Sequence, residues 1–523
     1  MSRRQAFLLL LFLGASLQAE VVPGFPFQDH AVLQQGRAIP VWGTAAVAEK
    51  VRVTYTDGAN TRTADATTGP DGHWRIELPA LATSAQPATL TFAGSNTVTC
   101  TDILVGDVWL ASGQSNMELG VGGLGGWGYY ITNAAAEAAA ANYPLIRVIK
   151  IQPTSSDTLQ DTAKGCWRPC TPTTVGDFSA VAYFFARDLH KKLNIPIGII
   201  NASWSGSPIE PFIPPATLAA DPNGPAAIQA WKTKTADYPT NKARYDEEKA
   251  TWDTAKAAAA KIGEKFTKAA PRLPFGPGHK NTPSGSYNAM IHPIVPYALR
   301  GIIWYQGETN SGAAQYRTFF PSLIAGWREV FKQPDLPFYW VQLASWSANN
   351  DPDGLGIPSM REVQNQTLSV PHTGQALAID IGDTADIHPH NKQDVGHRLA
   401  LLALHRACGD KNIVDSGPTF SRAEFKAGAD NQVRVHFDNV AAGLKNSNPA
   451  TPDAVLGFEL AAADRVFRAA AARIENAATG TVLVIAPEGM GSPSYIRYAW
   501  RNDPKNSLAN SESLPAAPFR TDP

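Results

Sequence analysis

The sequence predicts an α/β protein: a mainly parallel sheet with helices on both faces, flanked by an N-terminal and a C-terminal β-sandwich-like region. Three observations predict it. Short, almost wholly apolar runs such as DVWLAS, IGIINAS, LRGIIWYQ and ALAIDIG alternate with helical stretches such as SAVAYFFARDLHKKL and YRTFFPSLIAGWREVF, the pattern of strands covered by helices on both sides. From Val21 to about Thr101, shorter runs (AIPVWGTA, KVRVTYTDG, GHWRIELP, ATLTFAG) alternate apolar and polar residues between Gly, Asp and Asn turns, as antiparallel strands do. After about Asn412 that strand pattern returns in QVRVHFDNV, AVLGFELA, GTVLVIAP and YIRYAW. A chain of 523 residues also exceeds one ordinary core, so two or three domains are expected.

Taken in order, residues 1–19 place Arg3 and Arg4 before an apolar run from Ala6 to about Ala15, then small residues to Ala19. That is the pattern of a signal peptide, too short for a spanning helix, so the expectation is an exported chain, periplasmic or extracellular. Residues 20–101 are read as the N-terminal sandwich, 102–411 as the catalytic body with a helical insertion at about 216–270, and 412–523 as the C-terminal β region. The insertion is rich in Ala, Lys and Glu from Pro225 to Lys268 and reads as a helical hairpin broken near Pro239. Its aromatic stripe, Trp231, Tyr238, Tyr245 and Trp252, is read as packing. Trp42, Trp74 and Trp500 fall in strand patterns and are read as core, so structural support is the favoured role of the flanking regions.

A formal net charge of -1 with interspersed signs excludes the basic stripe that nucleic acid requires. Of four cysteines, Cys166 and Cys170 in GCWRPC are close enough for a local disulfide in an oxidising compartment, and free thiols are the other reading. No further Cys or His follows at zinc-finger spacing. Cys100 and Cys408 are unassigned.

The residues that carry chemistry sit where strands end. GDVWLASGQSNMELG runs from a strand into Gly113-Gln114-Ser115-Asn116, placing Ser115 at the carboxyl edge where open α/β sheets bind ligands. Serine is a poor nucleophile without a base and without donors for the developing charge. NASWSGSPIEPF supplies Gly206, whose missing Cβ lets backbone approach a ligand. WYQGETN supplies Gln306, an amide donor, and DIGDTADIHPHNK supplies Asp383, Asp386, His388 and His390. Four such stretches on one sheet edge point to hydrolytic acyl transfer.

GQSNMELG, SWSGSPIEPF, WYQGETN and DIHPHNK, in this order, resemble the blocks of the SGNH hydrolase superfamily, and particularly its sialate O-acetylesterase-like carbohydrate esterases. FQDHAVLQQGRAIPVWGTA, YNAMIHPIVPYALRGIIWYQGETN, IRYAWRND and LPAAPFRTD also look like that family, so the likeness covers most of the mature chain. It implies an SGNH-type, flavodoxin-like three-layer sheet and an exported O-acetylesterase working through a serine acyl-enzyme. The substrate would be an acetylated sugar, sialic acid or plant polysaccharide or oligosaccharide, with no cofactor and no metal. Matched residue by residue, Ser115 takes the nucleophile's place and His388 the base's. Ser115 N–H, Gly206 N–H and the Gln306 side chain take the oxyanion's donors. Many superfamily members have D-x-x-H, whereas Asp386 precedes His388 by two positions; Asp386 is the first choice for the group orienting the imidazole, Asp383 the second and a backbone carbonyl the third.

Around these, Asn116, Glu308, Asn310 and His292 are candidates for substrate binding. Each also has a structural reading: Asn116 holding its turn, Glu308 bracing its loop, His292 capping a strand. Glu118 and Glu210 read equally as loop braces or as partners of a sugar hydroxyl, and His390 is a second choice for the base. The inserted helices and the loop Ser345–Met360 are expected to line the cleft. The competing reading is a non-catalytic glycan-binding or scaffolding protein on an inactive hydrolase body, against which the intact Ser115, Gln306 and His388 weigh. A lipase or thioesterase is disfavoured because the chain lacks a G-x-S-x-G elbow.

Overall fold

The computed structural model describes residues 20–58, 60–123, 128–310, 314–347, 354–426 and 431–523. The leader expected at 1–19 lies outside the described residues, as does the 348–353 part of the loop expected to line the cleft. The N-terminal region builds β1 (Val22–Pro23), β2 (Val32–Gln34), β3 (Ile39–Thr44), β4 (Lys50–Asp57), β5 (Asn60–Thr67), β6 (His73–Leu78) and β7 (Ser84–Ala93). β1, β3 and β6 pair antiparallel in one layer, and β5, β4 and β7 in another. Alternation decides their faces: Val51, Val53 and Tyr55 of β4 and Trp74, Ile76 and Leu78 of β6 are buried, and the residues between them are not.

β8 (Thr97–Gly113) follows as one 17-residue strand. Its first half pairs with β7 and β2, and its second half is the centre of the catalytic sheet. The boundary expected after residue 101 therefore falls inside a continuous strand. Asp102 and Gly106 read as punctuation, yet pairing passes through both, and residues of the two regions share one hydrophobic core.

The body adds β9 (Tyr143–Lys150), β10 (Trp167–Cys170), β11 (Ile197–Ser203), β12 (Gly301–Tyr305), β13 (Phe338–Val341) and β14 (Thr373–Ala376). The sheet order is β10-β9-β11-β8-β12-β13-β14, parallel throughout except for the antiparallel edge strand β10. Its helices are α1 (Ser115–Glu118), α2 (Ala134–Ala139), α3 (Ala180–Leu193), α4 (Pro215–Ala220), α5 (Gly224–Lys234), α6 (Tyr238–Lys261), α7 (Tyr316–Val330), α8 (Gly356–Thr367) and α9 (Lys392–Leu402). α3 packs on α9 and α7 on α8. α3 begins where Ser179 Oγ accepts from Ala182 N, an N-cap, and it buries Val181, Phe184, Phe185 and Leu189. β14 ends at Ala376, so the run ALAI is mostly not ladder: Leu377, Ala378 and Ile379 already lead into the loop that carries His388.

The helices of the insertion break at residues 235–237, between α5 and α6, and Pro239 stands just after the break in the first turn of α6, where a missing N–H goes unnoticed. α6 buries no residue at all. Its Trp252 Nε1 donates to Lys268 O and the ring edges onto Phe266, while Trp231 of α5 edges onto Phe275, so these two aromatics pack on the chain that follows the helices. All four cysteines are free thiols, with Cys170 buried and Cys166 exposed.

The C-terminal region forms an antiparallel sheet from Thr419–Lys426, Gln432–Asp438, Thr481–Ile485 and Ala471–Asn476, and a second around Phe458–Ala461 and Tyr495–Tyr498. Its own core includes Val433, Phe437, Phe458 and Tyr498, joined from the body by Ile379. The fully buried Arg361 of α8 clamps it to the body. Its Nε donates to Leu343 O, its Nη2 to Ala344 O and Asn502 O, and its Nη1 to Arg501 O, at 2.8 to 3.1 Å. Burial pulls this guanidinium down to about 9, which leaves it charged at neutral pH. Arg361→Met strands those four carbonyls and is predicted to lower the unfolding free energy by about 3 kcal/mol or more; urea denaturation measures it, and a loss under about 1 kcal/mol refutes the clamp.

Candidate active site

Parallel register sets Gly113 of β8 opposite Ser203 of β11 and opposite Tyr305 of β12. Three chain segments thus leave the sheet at one level of its carboxyl edge. Gln114 N donates to Tyr305 O and Trp204 N to Gly113 O, both at 2.9 Å, which stitches the exits together. Gly113 has φ +132° and a Cβ built on it would lie 2.1 Å from Tyr305 O, so no other residue fits there. Ser115 opens α1 immediately after this turn.

His388 arrives from the loop after β14. Its Nε2 lies 2.9 Å from Ser115 Oγ, and its Nδ1 lies 3.1 Å from Asp386 Oδ1. The same Asp386 oxygen accepts from His388 N at 2.9 Å, so a two-residue spacing suffices to brace the ring from its own loop. With the Nδ1 proton given to Asp386, the Nε2 lone pair faces the serine hydroxyl. Asp383 does not meet His388: its Oδ1 accepts from Ala385 N and its Oδ2 lies 4.0 Å from His390 Nδ1. His390 stacks on Tyr130 and places Nε2 3.4 Å from Asp386 Oδ2. Burial holds the His388 imidazole below its ordinary pKa, the Lys392 charge lowers it further, and Asp386 opposes both.

Ser115 N and Gly206 N donate to no group among the described residues. Gly206 has φ +68° and is backed by Lys280, whose Nζ donates to Ser205 O at 2.9 Å. Glu118 Oε2 accepts from both Ser205 N and Ser205 Oγ, which makes it a brace of this loop.

Gln306, expected to donate to an oxyanion, is fully buried, and both of its amide protons are engaged. Nε2 donates to Asn310 Oδ1 at 2.7 Å and to Gln114 Oε1 at 3.1 Å. These acceptors cannot turn away: Asn310 Oδ1 also takes Ile209 N while its Nδ2 donates to Glu210 Oε2, and Gln114 Oε1 also takes Thr309 N. In this arrangement Gln306 and Asn310 tie the second exit to the third, and neither presents a donor to a ligand.

Asn116 and Glu308 likewise face inward. Asn116 Nδ2 donates to Glu308 Oε1 and, at 3.1 Å, to Ile387 O, the residue before His388. Asn116 Oδ1 accepts from Lys392 Nζ at 2.5 Å. His292 is held elsewhere, its Nδ1 at Gln160 O and its ring on a cavity shared with Trp42 and Trp74. Lys392, Gln114 and Tyr129, whose ring centroid lies 4.1 Å from that of His388, were not singled out in the sequence. For Lys392 a signal existed: it stands in line with the buried Val395, Leu399 and Leu402 of α9. Among the described residues no group of three or more His, Cys, Asp or Glu is placed to hold a metal ion.

A family model described as carbohydrate esterase, sialic acid-specific acetylesterase, matches residues 247–405. Sialate O-acetylesterase of Rattus norvegicus is 29% identical, over 99% of this chain and 98% of its own, and that of Homo sapiens is 28% identical, over 80% and 75%. The crystal structure of a carbohydrate acetylesterase from Xanthomonas citri superposes with a TM-score of 0.77 at 34% identity, covering 96% of this chain and 99% of that one.

The His388 ring is predicted to titrate below about 6.5, and further below it in Asp386→Asn, because that change removes the charge opposing burial. Nitrogen-15 NMR of the imidazole reads both; an unmoved titration in Asp386→Asn contradicts the pairing.

Proposed function

The chain belongs to the sialate O-acetylesterase-like carbohydrate esterases and is a carboxylic ester hydrolase; from that premise we propose that it removes O-acetyl groups from sugars through a serine acyl-enzyme. The observation that carries the serine step is the 2.9 Å approach of His388 Nε2 to Ser115 Oγ, with Asp386 behind the ring. Ser115 Oγ attacks the acetyl carbonyl as its proton passes to His388 Nε2. The tetrahedral oxyanion meets the unpartnered N–H groups of Ser115 and Gly206. Collapse breaks the ester C–O bond, and the imidazolium returns the proton to the departing sugar hydroxyl. Water, deprotonated by the same imidazole, then attacks the acetyl-serine, and acetate leaves with the serine proton restored.

The sugar side of the reading rests on the relatives named for sialate and carbohydrate acetyl esters, and on a cavity beside the Gly206 loop. That cavity, about 450 Å³, is lined by Pro208, Glu210, Trp231, Lys234, Asn281 and Phe319 among others. An aromatic ring beside amides and charged groups suits the apolar face and hydroxyls of a sugar. Burial raises the Glu210 carboxyl, one oxygen of which accepts from Asn310 Nδ2 at 3.2 Å. Acetylated sialic acids and acetylated plant saccharides are both within the proposal, and the substrate panel below separates them. We read the protein as exported, on Arg3, Arg4 and the apolar run after them; Edman sequencing of the mature protein from cell fractions, starting near residue 20, is the expected result.

Ser115→Ala and His388→Ala are each predicted to lower kcat by about 10³-fold or more, measured as acetate released from 4-nitrophenyl acetate, acetylated sialic acid and acetylated xylo- and xyloglucan-oligosaccharides. Undiminished turnover by Ser115→Ala contradicts the serine step. Trp231→Ala is predicted to raise KM for the saccharide several-fold while leaving 4-nitrophenyl acetate hydrolysis unchanged, and equal effects on both would remove the cavity from the substrate path.

A further inference from the structure

A lysine is out of place behind the nucleophile. Lys392 is fully buried, and it is the first residue of α9, the helix end whose dipole is positive. Its ammonium donates to Asn116 Oδ1, and Asn116, adjacent to Ser115, passes its own two protons to Glu308 Oε1 and Ile387 O. Glu308 is only half-buried as a residue, but its second oxygen is shut off from solvent and has no partner among the described residues. Three elements meet in this chain of bonds: the nucleophile turn, the loop after β12, and the loop and helix around the base.

We propose that Lys392, Asn116 and Glu308 form a buried charged clasp in which Lys392 is a positioning residue: it locks the His388 loop onto the Ser115 turn and keeps the His388 imidazole neutral, ready to accept a proton. The proposal rests on Ser115 and His388 being nucleophile and base. Geometry supplies the first half. Asn116 is the only hydrogen-bonded link between Ser115's neighbour and His388's neighbour among the described residues, and its orientation is dictated from both ends, since an ammonium can only donate and a carboxylate or carbonyl can only accept.

Charge supplies the second half. The groups around the imidazole are Ser115 from α1, Tyr129 from the segment before α2, and Asp386 and His390 from its own loop, with the Lys392 ammonium of α9 one residue removed, joined through Asn116 to Ile387 O. Asp386 favours the imidazolium, and burial and Lys392 disfavour it. Without a cation there, the Asp386 carboxylate would act on the ring unopposed by any fixed charge except His390. Burial brings the Lys392 ammonium itself down to about 7, with Glu308 and Asp386 supporting its charge, and burial raises the Glu308 carboxyl. Lys392 is therefore charged on the acid side of neutrality, the range in which the imidazole would otherwise become protonated.

The test compares the pH profile of kcat/KM and the imidazole titration of His388 in wild type, Lys392→Met and Lys392→Gln, the second able to donate to Asn116 still. Loss of the cation is expected to move the acid limb and the His388 titration to higher pH by roughly one unit in both variants, about a tenfold loss at acid pH, with KM unchanged. Lys392→Met, which also loses the bond to Asn116, is expected to lower the pH-independent kcat further than Lys392→Gln. An acid limb and a His388 titration that stay in place overturn the proposal, whatever the fall in kcat, because a merely structural lysine would leave the His388 titration where it is. The two readings fail separately: activity retained by Ser115→Ala ends the serine reading, whereas an inactive Ser115→Ala with an unmoved titration in the lysine variants ends the clasp alone.

Discussion

Gly113, Ser203 and Tyr305 stand side by side because β8, β11 and β12 run parallel and in register, and the rest of the site depends on that level edge. A slip of one residue would turn every side chain of a strand to the other face and lift one exit out of line. The register is secured by burial on both sides of the sheet and by the bonds that cross the exits, Gln114 N to Tyr305 O and Trp204 N to Gly113 O. Glycine at 113 lets the chain turn where Tyr305 O leaves no room for a Cβ. Ser115 is then delivered at a fixed height with its N–H free. The backbone builds the anion-binding corner, and only the base has to be brought to it.

Bringing the base is harder, because β14 is three strands away from β8 in the sheet order. The loop after Ala376 must reach back across the edge, and it is held along its way. Ser345 Oγ donates to Ile379 O, Ser347 N to Thr384 O, and Thr384 Oγ1 to Asp503 Oδ2 of the C-terminal region. Arg361 fastens that region to the body a few residues away. The C-terminal β region therefore has a mechanical part in the site: it supports the loop that carries His388. At the far end of the loop, Asn116 and Lys392 close the gap.

How much of this was legible in the sequence follows from the range of the forces involved. Apolar runs and helical stripes are local signals, so the parallel body, α3 and α7 could be read directly, and so could the strand ends where Ser115 and Gly206 emerge, whereas the run ALAI expected as the strand before His388 is mostly loop. The end of the N-terminal region could not, since Asp102 and Gly106 look like a break and only pairing on both sides shows that β8 passes through them. Asp386 is the first choice and Asp383 the second as partner of His388 in the sequence, and distance separates them. Gln306 and Asn310 have the donors an oxyanion needs, and those donors are taken by Gln114 Oε1 and Glu210 Oε2, acceptors a hundred or more positions away. Lys392 stands in line with the buried face of α9, and what that local pattern leaves out is the tertiary match with Asn116 and Glu308.

The central claim is that this edge presents Ser115 as the nucleophile, and covalent trapping tests it most directly. The protein is treated with diethyl 4-nitrophenyl phosphate, an ester whose phosphorus takes the place of the attacked carbonyl carbon, and the digest is mapped by mass spectrometry. The account predicts a single diethylphosphoryl group on the peptide carrying Ser115, formed in step with the loss of esterase activity. A label on any other residue, or activity that survives complete labelling of Ser115, would contradict it.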